Sequence, residues 1–135
     1  MNIEKRNALV EELSQASDPI LVPIARFFDG NNDLGSIGCN LADHPGIEAF
    51  QKIFSALAQR ADVTALYAQI AEVDPGEGCW PFADTVFVFG DIPEEELRNL
   101  LAPLQPDEVG PISSFDVSPA VKSRHPKPVL LAWWD

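Results

Sequence analysis

The sequence predicts an α+β fold of the ferredoxin-like type, in which helices cover one face of a four-stranded antiparallel sheet. Segments with apolar residues at helical spacing alternate with short segments in the pattern of strands, and their order along the chain is βαββαβ. The chain of 135 residues, 46% of them hydrophobic, is long enough to bury a core of its own. We therefore expect a single α+β domain over residues 1–135.

The N-terminal part predicts two helices before the first strand. Asn2–Ala16 has a modest apolar stripe, and the following Ser17, Asp18 and Pro19 end a helix, so residues 1–18 would be an addition to the ferredoxin-like core. Pro23 suits the first position of a short helix.

The segment Phe27–Leu41 combines a polar, glycine-rich loop with the first predicted strand. Ser36–Leu41 alternates small or polar residues with apolar ones, which is the pattern of a strand. This phase places Cys39 in the core, where it would be a structural thiol rather than a nucleophile. Gly38 would lie on the opposite face, where we expect another side chain, such as one of the terminal tryptophans, to cross over it.

The middle of the chain predicts a helix followed by two strands. Pro45 and Gly46 precede the strongest amphipathic pattern in the sequence, so we expect a helix to start there. Val63–Val73 alternates, which predicts a strand with Leu66, Ala68 and Ile70 on its apolar face. Thr85–Phe89 is apolar on both faces, as is typical of a central strand.

The C-terminal part predicts one helix, a long excursion and the last strand. Pro93 and Glu94–Glu96 suit the start of a helix, because proline and acidic side chains favour its positive end. Residues 103–128 contain six of the twelve prolines and form a Pro-rich loop, with a short strand expected near Ile112–Val117. Val129–Trp134 predicts the final strand.

The net charge of −12 disfavours nucleic acid and anionic membranes as partners, since both bind basic surfaces. Between residues 74 and 116 the chain has ten acidic residues and one basic residue, Arg98. This region is either a solvated surface or a docking surface for a basic protein partner. The sequence contains no secretory signal, no membrane-spanning apolar run and no disulfide framework, so we expect a cytoplasmic protein.

No residue pattern predicts a catalytic centre, a metal site or a cofactor. The chain has two histidines, His44 and His125, which are too few for a histidine-based metal site or a triad and are expected to be structural or exposed. The loop that begins at Asp29 fails the EF-hand pattern, because Leu34 and Asn40 stand where glycine and glutamate are required. The loop residues expected first to build a turn, and only second to bind a ligand, are Asp29, Asn31, Asn32 and Asp33.

The sheet face opposite the predicted helices has an unusual composition. Residues expected on this face are Gly38, Asn40, Tyr67, Gln69, Phe87 or Val88, and one of Trp133 and Trp134. Aromatic and amide side chains on a sheet face can hold RNA bases, but the Lys and Arg residues that would bind phosphate are missing here. The face is therefore expected to be covered by the N-terminal helix or the Pro-rich loop, by a second subunit, or by a partner protein.

Several strings in the sequence resemble a known group of proteins. The combination of FFDGNNDLGSIGCNL, HPG, WPFADTV, LAPLQPDEVG and a terminal AWWD resembles an uncharacterised family of small, acidic bacterial proteins. The similarity extends from about Val22 to Asp135. It implies a bacterial cytoplasmic protein and transfers no catalytic residues. In size, charge and lack of catalytic groups, the chain is also similar, more loosely, to immunity proteins that neutralise toxins.

The sequence supports three functional hypotheses. The first is a non-enzymatic protein-binding module, of the immunity type, that docks through the acidic residues between 74 and 116. The second is a small-molecule-binding protein or enzyme that uses the segment Asp29–Asn40. The third is a regulatory domain that dimerises through its sheet, so the chain would be a monomer or a homodimer.

A concave pocket where Asp29, Asp33 or Asn40 converges with a titratable group of perturbed pKa would favour the second hypothesis, and an exposed acidic or aromatic surface would favour the first. The candidate ligand or partner residues are Asp29, Asn31, Asn32, Asp33, Asn40, Tyr67, Gln69, Trp80, Asp107, Glu108, Trp133 and Trp134.

Overall fold

The structure is a computed structural model, and it describes residues 1–124 and 128–135. The main elements in this part of the chain are four α-helices and a five-stranded sheet. Helices α1 to α4 span Ile3–Ser14, Ile24–Phe28, Ile47–Ala58 and Glu94–Leu101. Strands β1 to β5 span Leu21–Pro23, Val63–Glu72, Phe82–Gly90, Glu108–Pro111 and Val129–Trp133. The strand order is β1-β2-β3-β5-β4, and all neighbouring strands are antiparallel.

All four helices contribute to a core on one face of the sheet, so the predicted α+β class is confirmed. The amphipathic pattern after Gly46 forms α3, because its apolar residues recur every three or four positions and line one side. The buried side chains of α3 are Ile47, Phe50, Phe54 and Leu57. They pack against the apolar face of β2, which carries Leu66, Ala68 and Ile70 as expected. Each helix among the described residues is too short or too polar to cross a membrane.

The ferredoxin-like strand order is not confirmed, because the first predicted strand does not form. The segment Ser36–Leu41 contains a turn instead. Gly38 has a φ of +65°, and the Leu41 amide donates a hydrogen bond to the Gly38 carbonyl at 3.0 Å. A left-handed residue interrupts the extended backbone that a strand needs. Without this strand β5 pairs directly with β3, and β1 and β4 lie at the two edges of the sheet.

The same turn changes the surroundings of two further residues. Cys39 is exposed, so its predicted position in the core is wrong. The side chains closest to Gly38 are those of Leu41 and Phe50, and not that of a terminal tryptophan. Ile37 is nevertheless fully buried, so this apolar residue reaches the core from a loop.

The sequence does not predict β1, a strand of three residues that ends at Pro23. Proline lacks an amide donor and is confined to sheet edges, and β1 is an edge strand. The short helix α2 then starts at Ile24, directly after Pro23.

The Pro-rich segment covers the second face of the sheet. It contains β4 and two 3-10 helices, Ile112–Ser114 and Pro119–Arg124, so its strand lies before the predicted Ile112–Val117. Ile112 and Val121 of these helices pack in a second core cluster with five sheet residues, Leu21, Phe87, Phe89, Val129 and Leu131. The Pro-rich segment, one of the covers expected from the sequence, therefore packs on this face. The expectation for His125 concerns a position outside the described residues.

Arg60, after the end of α3, joins two acidic side chains. Its guanidinium donates to both carboxylate oxygens of Asp62 at 2.9 Å and forms an ion pair with Glu96 of α4 at 2.7 Å. The hydrogen bonds favour the ionised forms, so they lower the pKa of Asp62 and raise the pKa of Arg60. All three side chains are partly exposed, so these pairs orient the loop before β2 and contribute little to stability.

Candidate functional site

The sheet face opposite the helices contains a pocket of about 800 Å³, which we call the sheet-face pocket. Its floor is a row of residues side by side on four strands. Gln69 is paired with Thr85, Thr85 with Trp133, and Trp133 with Glu108. Successive side chains of a strand alternate between faces, so residues in register share one face. The floor is therefore built by strand pairing and not by any local motif.

Two segments outside the row line the rest of the sheet-face pocket. They are Phe115–Ser118, which follows the first 3-10 helix of the Pro-rich segment, and the turn Asp18–Ile20 before β1. Phe87 and Leu131, from the row next to Trp133, extend the floor. These lining segments are far apart in sequence, so only the folded chain brings them together.

Within the described residues, every charged side chain that lines the pocket is acidic. These side chains are Asp18, Glu108 and Asp116, and all three are exposed. The aromatic rings of Trp133 and Phe115 are only partly buried. Carboxylates attract a cation by charge, and the face of an aromatic ring attracts it through its quadrupole. The pocket therefore favours a positively charged group over an anionic one.

Several polar groups in the pocket are available to a ligand. In the part of the chain that the structure describes, the side chains of Gln69, Glu108 and Asp116 make no hydrogen bond or ion pair. By contrast, Thr85 Oγ1 donates to Asp84 Oδ1 at 3.0 Å. The available groups are thus mostly acceptors, which suits a ligand rich in N–H donors.

The polar loop that the sequence singles out is held together by its own side chains. Asn31 is 7% exposed, accepts a hydrogen bond from the Asp33 amide at 2.9 Å, and donates to Ser36 Oγ at 3.0 Å. Asp33 accepts from the Gly35 amide through Oδ1 and from the Trp80 amide through Oδ2, both at 2.9 Å. Both oxygens of Asp33 therefore serve the fold, and the second joins this loop to the start of β3.

Asp33→Ala is expected to lower the free energy of unfolding by about 1–3 kcal/mol, because two backbone amides lose a charged acceptor at once. Asp33→Asn, which keeps one oxygen, is expected to lose less. Denaturant unfolding followed by circular dichroism measures both changes. Asp43→Ala, in an exposed part of the next loop, is the control. An Asp33→Ala protein as stable as the control would show that these hydrogen bonds do not hold the loop.

The other loop residues do not converge on one site. Asp29 forms an ion pair with Lys5 at 2.6 Å and lines, with Asn32, a pocket of about 470 Å³. Asp33 lines a separate pocket of about 290 Å³. Asn40 is exposed and lines neither pocket. The convergence that would favour an enzyme at this loop is therefore not found among the described residues.

The smaller of these pockets is lined by both cysteines of the chain. Cys39 and Cys79 both line the 290 Å³ pocket, and both are free thiols. No group of three or more His, Cys, Asp or Glu side chains is placed to hold a metal ion within residues 1–124 and 128–135.

Three other predicted site residues, Trp80, Trp134 and Asp107, are buried in the core or bonded to the backbone. Trp80 and Trp134 are each 1% exposed, so Trp134 belongs to the helix-side core and not to the second face. Trp134 Nε1 donates to the Leu104 carbonyl at 2.8 Å, whereas Trp80 Nε1 has no acceptor among the described residues. Asp107 accepts from the amide of Asp135 at 2.7 Å.

Four predicted residues do lie on the second face. Tyr67 and Trp133 pack against its core cluster, and Gln69, Glu108 and Trp133 line the pocket. The sequence reasoning missed Thr85 as a site residue, although the alternation along Thr85–Phe89 places it on the same face as Phe87. It missed the lining segments at Asp18 and Phe115 as well, and neither has a local signal that could have revealed it.

These features define a small α+β protein with an acidic and aromatic pocket on one sheet face. The model of the Uncharacterized protein YfbO family matches residues 4–129, so the chain belongs to the YfbO family. The chain is 27% identical over 120 residues to the uncharacterized protein YfbO of Escherichia coli strain K12, and the alignment covers 85% of this chain and 82% of that protein. The resemblance to an uncharacterised bacterial family is therefore confirmed. No solved structure matches the chain.

Proposed function

We propose that the protein is a non-enzymatic binding module that docks a basic protein partner through the sheet-face pocket. The observation that carries the proposal is the lining of this pocket, which combines aromatic rings with carboxylates and has no basic side chain among its described residues. Two of the carboxylates, Glu108 and Asp116, belong to the acidic region between residues 74 and 116.

The form of the pocket supports a protein partner. It is open to solvent and leaves Trp133 and Phe115 partly exposed. Pockets for small molecules usually enclose most of the ligand surface, whereas aromatic side chains at an open depression are typical anchors of protein interfaces. The net charge of −12 would also speed association with a basic partner.

The chemistry of the pocket supports binding rather than catalysis. Its lining residues within the described chain include no His, Cys or Lys. Among the described residues, the hydroxyl groups of Thr85 and Ser118 therefore have no imidazole, thiol or amine beside them that could act as a general base or a nucleophile.

The same proposal includes a cytoplasmic location and a role of the immunity type. The free thiols of Cys39 and Cys79 suit a reducing compartment. An acidic protein that masks a basic surface of a toxin would use charge complementarity of this kind.

The two alternatives have less support. A small-molecule site at Asp29–Asn40 would draw on residues that are divided between two pockets. Dimerisation through the second sheet face would have to displace Ile112 and Val121, which already pack on it.

Glu108→Lys is expected to weaken partner binding at least about tenfold, because it replaces an attractive charge in the pocket by a repulsive one. Partners are captured from a bacterial lysate with the wild-type protein and identified by mass spectrometry. The Kd of each purified partner is then measured for the wild type and for the variants.

Glu11→Lys is the matched control, since it makes the same charge change at an exposed position of α1. Equal losses in both variants would mean that only net charge matters. Unchanged binding by Glu108→Lys would place the docking surface elsewhere.

A further inference from the structure

We infer that the sheet-face pocket receives the side chain of an arginine residue presented by the partner. The inference rests on the proposed function, because it names the chemical group that the docking site accepts. Three observations carry it: an arginine of the chain itself packs on the same sheet face, a carboxylate lies directly opposite Trp133, and the pocket offers further acceptors that have no partner among the described residues.

Arg124 shows how this face accepts a guanidinium group. Its Cζ atom lies 5.7 Å from the centroid of the Tyr67 ring, which is within the range of a cation–π contact. Tyr67 is paired with Phe87, and Phe87 lines the sheet-face pocket. The internal contact therefore lies one row away from Trp133. A guanidinium on Trp133 would make the same kind of cation–π contact as Arg124 makes with Tyr67. Tryptophan is the aromatic side chain that attracts cations most strongly.

The position of Glu108 favours arginine over lysine. Glu108 and Trp133 are directly paired across β4 and β5. Paired residues of antiparallel strands have Cβ atoms about 4.5–5.5 Å apart, so one ligand group can reach both side chains. A guanidinium can stack on the indole ring with its planar face while its edge donates two parallel hydrogen bonds to the carboxylate. A lysine ammonium is a point charge without a planar face, so it can neither stack on the indole ring nor donate a parallel pair of hydrogen bonds.

The other polar side chains of the pocket and its volume suit the remaining N–H donors and the backbone of an arginine residue. A guanidinium has five N–H donors, and two of them would be used by Glu108. The side chains of Gln69 and Asp116, which have no partner within residues 1–124 and 128–135, are additional acceptors in the same pocket. The volume of about 800 Å³ exceeds what one side chain occupies, which leaves space for the backbone on both sides of the arginine.

The test titrates the full-length protein with three blocked tripeptides. Their central residues are arginine, lysine and citrulline, and citrulline has nearly the shape of arginine but no charge. Fluorescence reports binding at Trp133, because Trp80 and Trp134 are each 1% exposed, and calorimetry gives the Kd for every variant. The arginine peptide is expected to bind, the lysine peptide about tenfold more weakly, and the citrulline peptide without saturation.

Matched variants locate the binding. Glu108→Gln is expected to weaken the arginine peptide about tenfold without changing the unfolding midpoint, and Glu11→Gln is expected to leave the Kd unchanged. Equal binding of the lysine or citrulline peptide, or no binding of any peptide, overturns the inference.

Failure of the proposed function would look different, since partner binding would then be insensitive to Glu108→Lys. If partner binding depends on Glu108 while the arginine peptide does not bind, the inference is overturned and the docking function stands.

Discussion

Replacing Trp134 by alanine is expected to lower the free energy of unfolding by about 3–5 kcal/mol. The side chain is 1% exposed and packs against Phe50 and Phe54 of α3, with ring centroids 5.6 and 6.4 Å away. Its removal would leave a cavity in the helix-side core, which neighbouring side chains can fill only in part. It would also remove the indole donor that bonds the Leu104 carbonyl at 2.8 Å. Denaturant unfolding followed by circular dichroism measures the loss.

The adjacent Trp133 provides the control, because it is the same residue type on the opposite face. Trp133 is only partly buried, so Trp133→Ala is expected to lower the free energy of unfolding by about 1–2 kcal/mol. The same variant should lose binding to a cationic ligand of the sheet-face pocket. Equal stability losses in the two variants would show that the two tryptophans are not divided between the faces in this way.

Gly90→Ala is expected to destabilise the protein by about 3 kcal/mol or more. Gly90 ends β3 with a φ of +143°, a conformation that residues with side chains rarely adopt. A Cβ atom here would overlap the carbonyl oxygen of Asp62 and lie 3.0 Å from the Cα of Val63. Both neighbours are backbone atoms, and the Asp62 carbonyl also accepts a hydrogen bond from the Asp91 amide at 2.9 Å. The start of β2 would have to move away from the end of β3.

Gly46→Ala separates backbone strain from this overlap. Gly46 also has a positive φ, of +99°, but an added Cβ would meet no atom within 4 Å. This variant is expected to lose about 1–3 kcal/mol from strain alone, because a φ of +99° with a ψ of 153° is a conformation nearly restricted to glycine. Thermal and denaturant unfolding of the two variants compares the losses. If Gly90→Ala proves no less stable than Gly46→Ala, the close approach of Asp62 does not limit residue 90.

Elements in which apolar residues recur at a regular spacing over many positions could be predicted from the sequence. The helix α3 and the strands β2, β3 and β5 each have a pattern that distinguishes helix from strand. Strands β1 and β4, with three and four residues, are too short to show one. The segment Ser36–Leu41 shows a strand pattern but forms a turn, because the period of apolar residues does not reveal that Gly38 has a positive φ.

The candidate site could be predicted only in part. Alternation along β2 places Gln69 on the second face, and the charge distribution points to Glu108. The contributions of Asp18 and Phe115 could not be foreseen, because these residues reach the pocket only when distant segments pack against the sheet.

The sequence by itself determined the α+β class, the family and the acidic character of this protein. These properties depend on composition, on local period and on strings of residues, all of which are present in the unfolded chain. Only the tertiary structure decided that Trp133 faces the pocket while Trp134 enters the core, and that the Pro-rich segment covers the second face. Both depend on which strands pair and in which register, because a shift of one residue moves every side chain of a strand to the other face. That register follows from the burial of apolar side chains by segments far apart in sequence, so the alternation within one strand does not by itself decide its partner strand or its register.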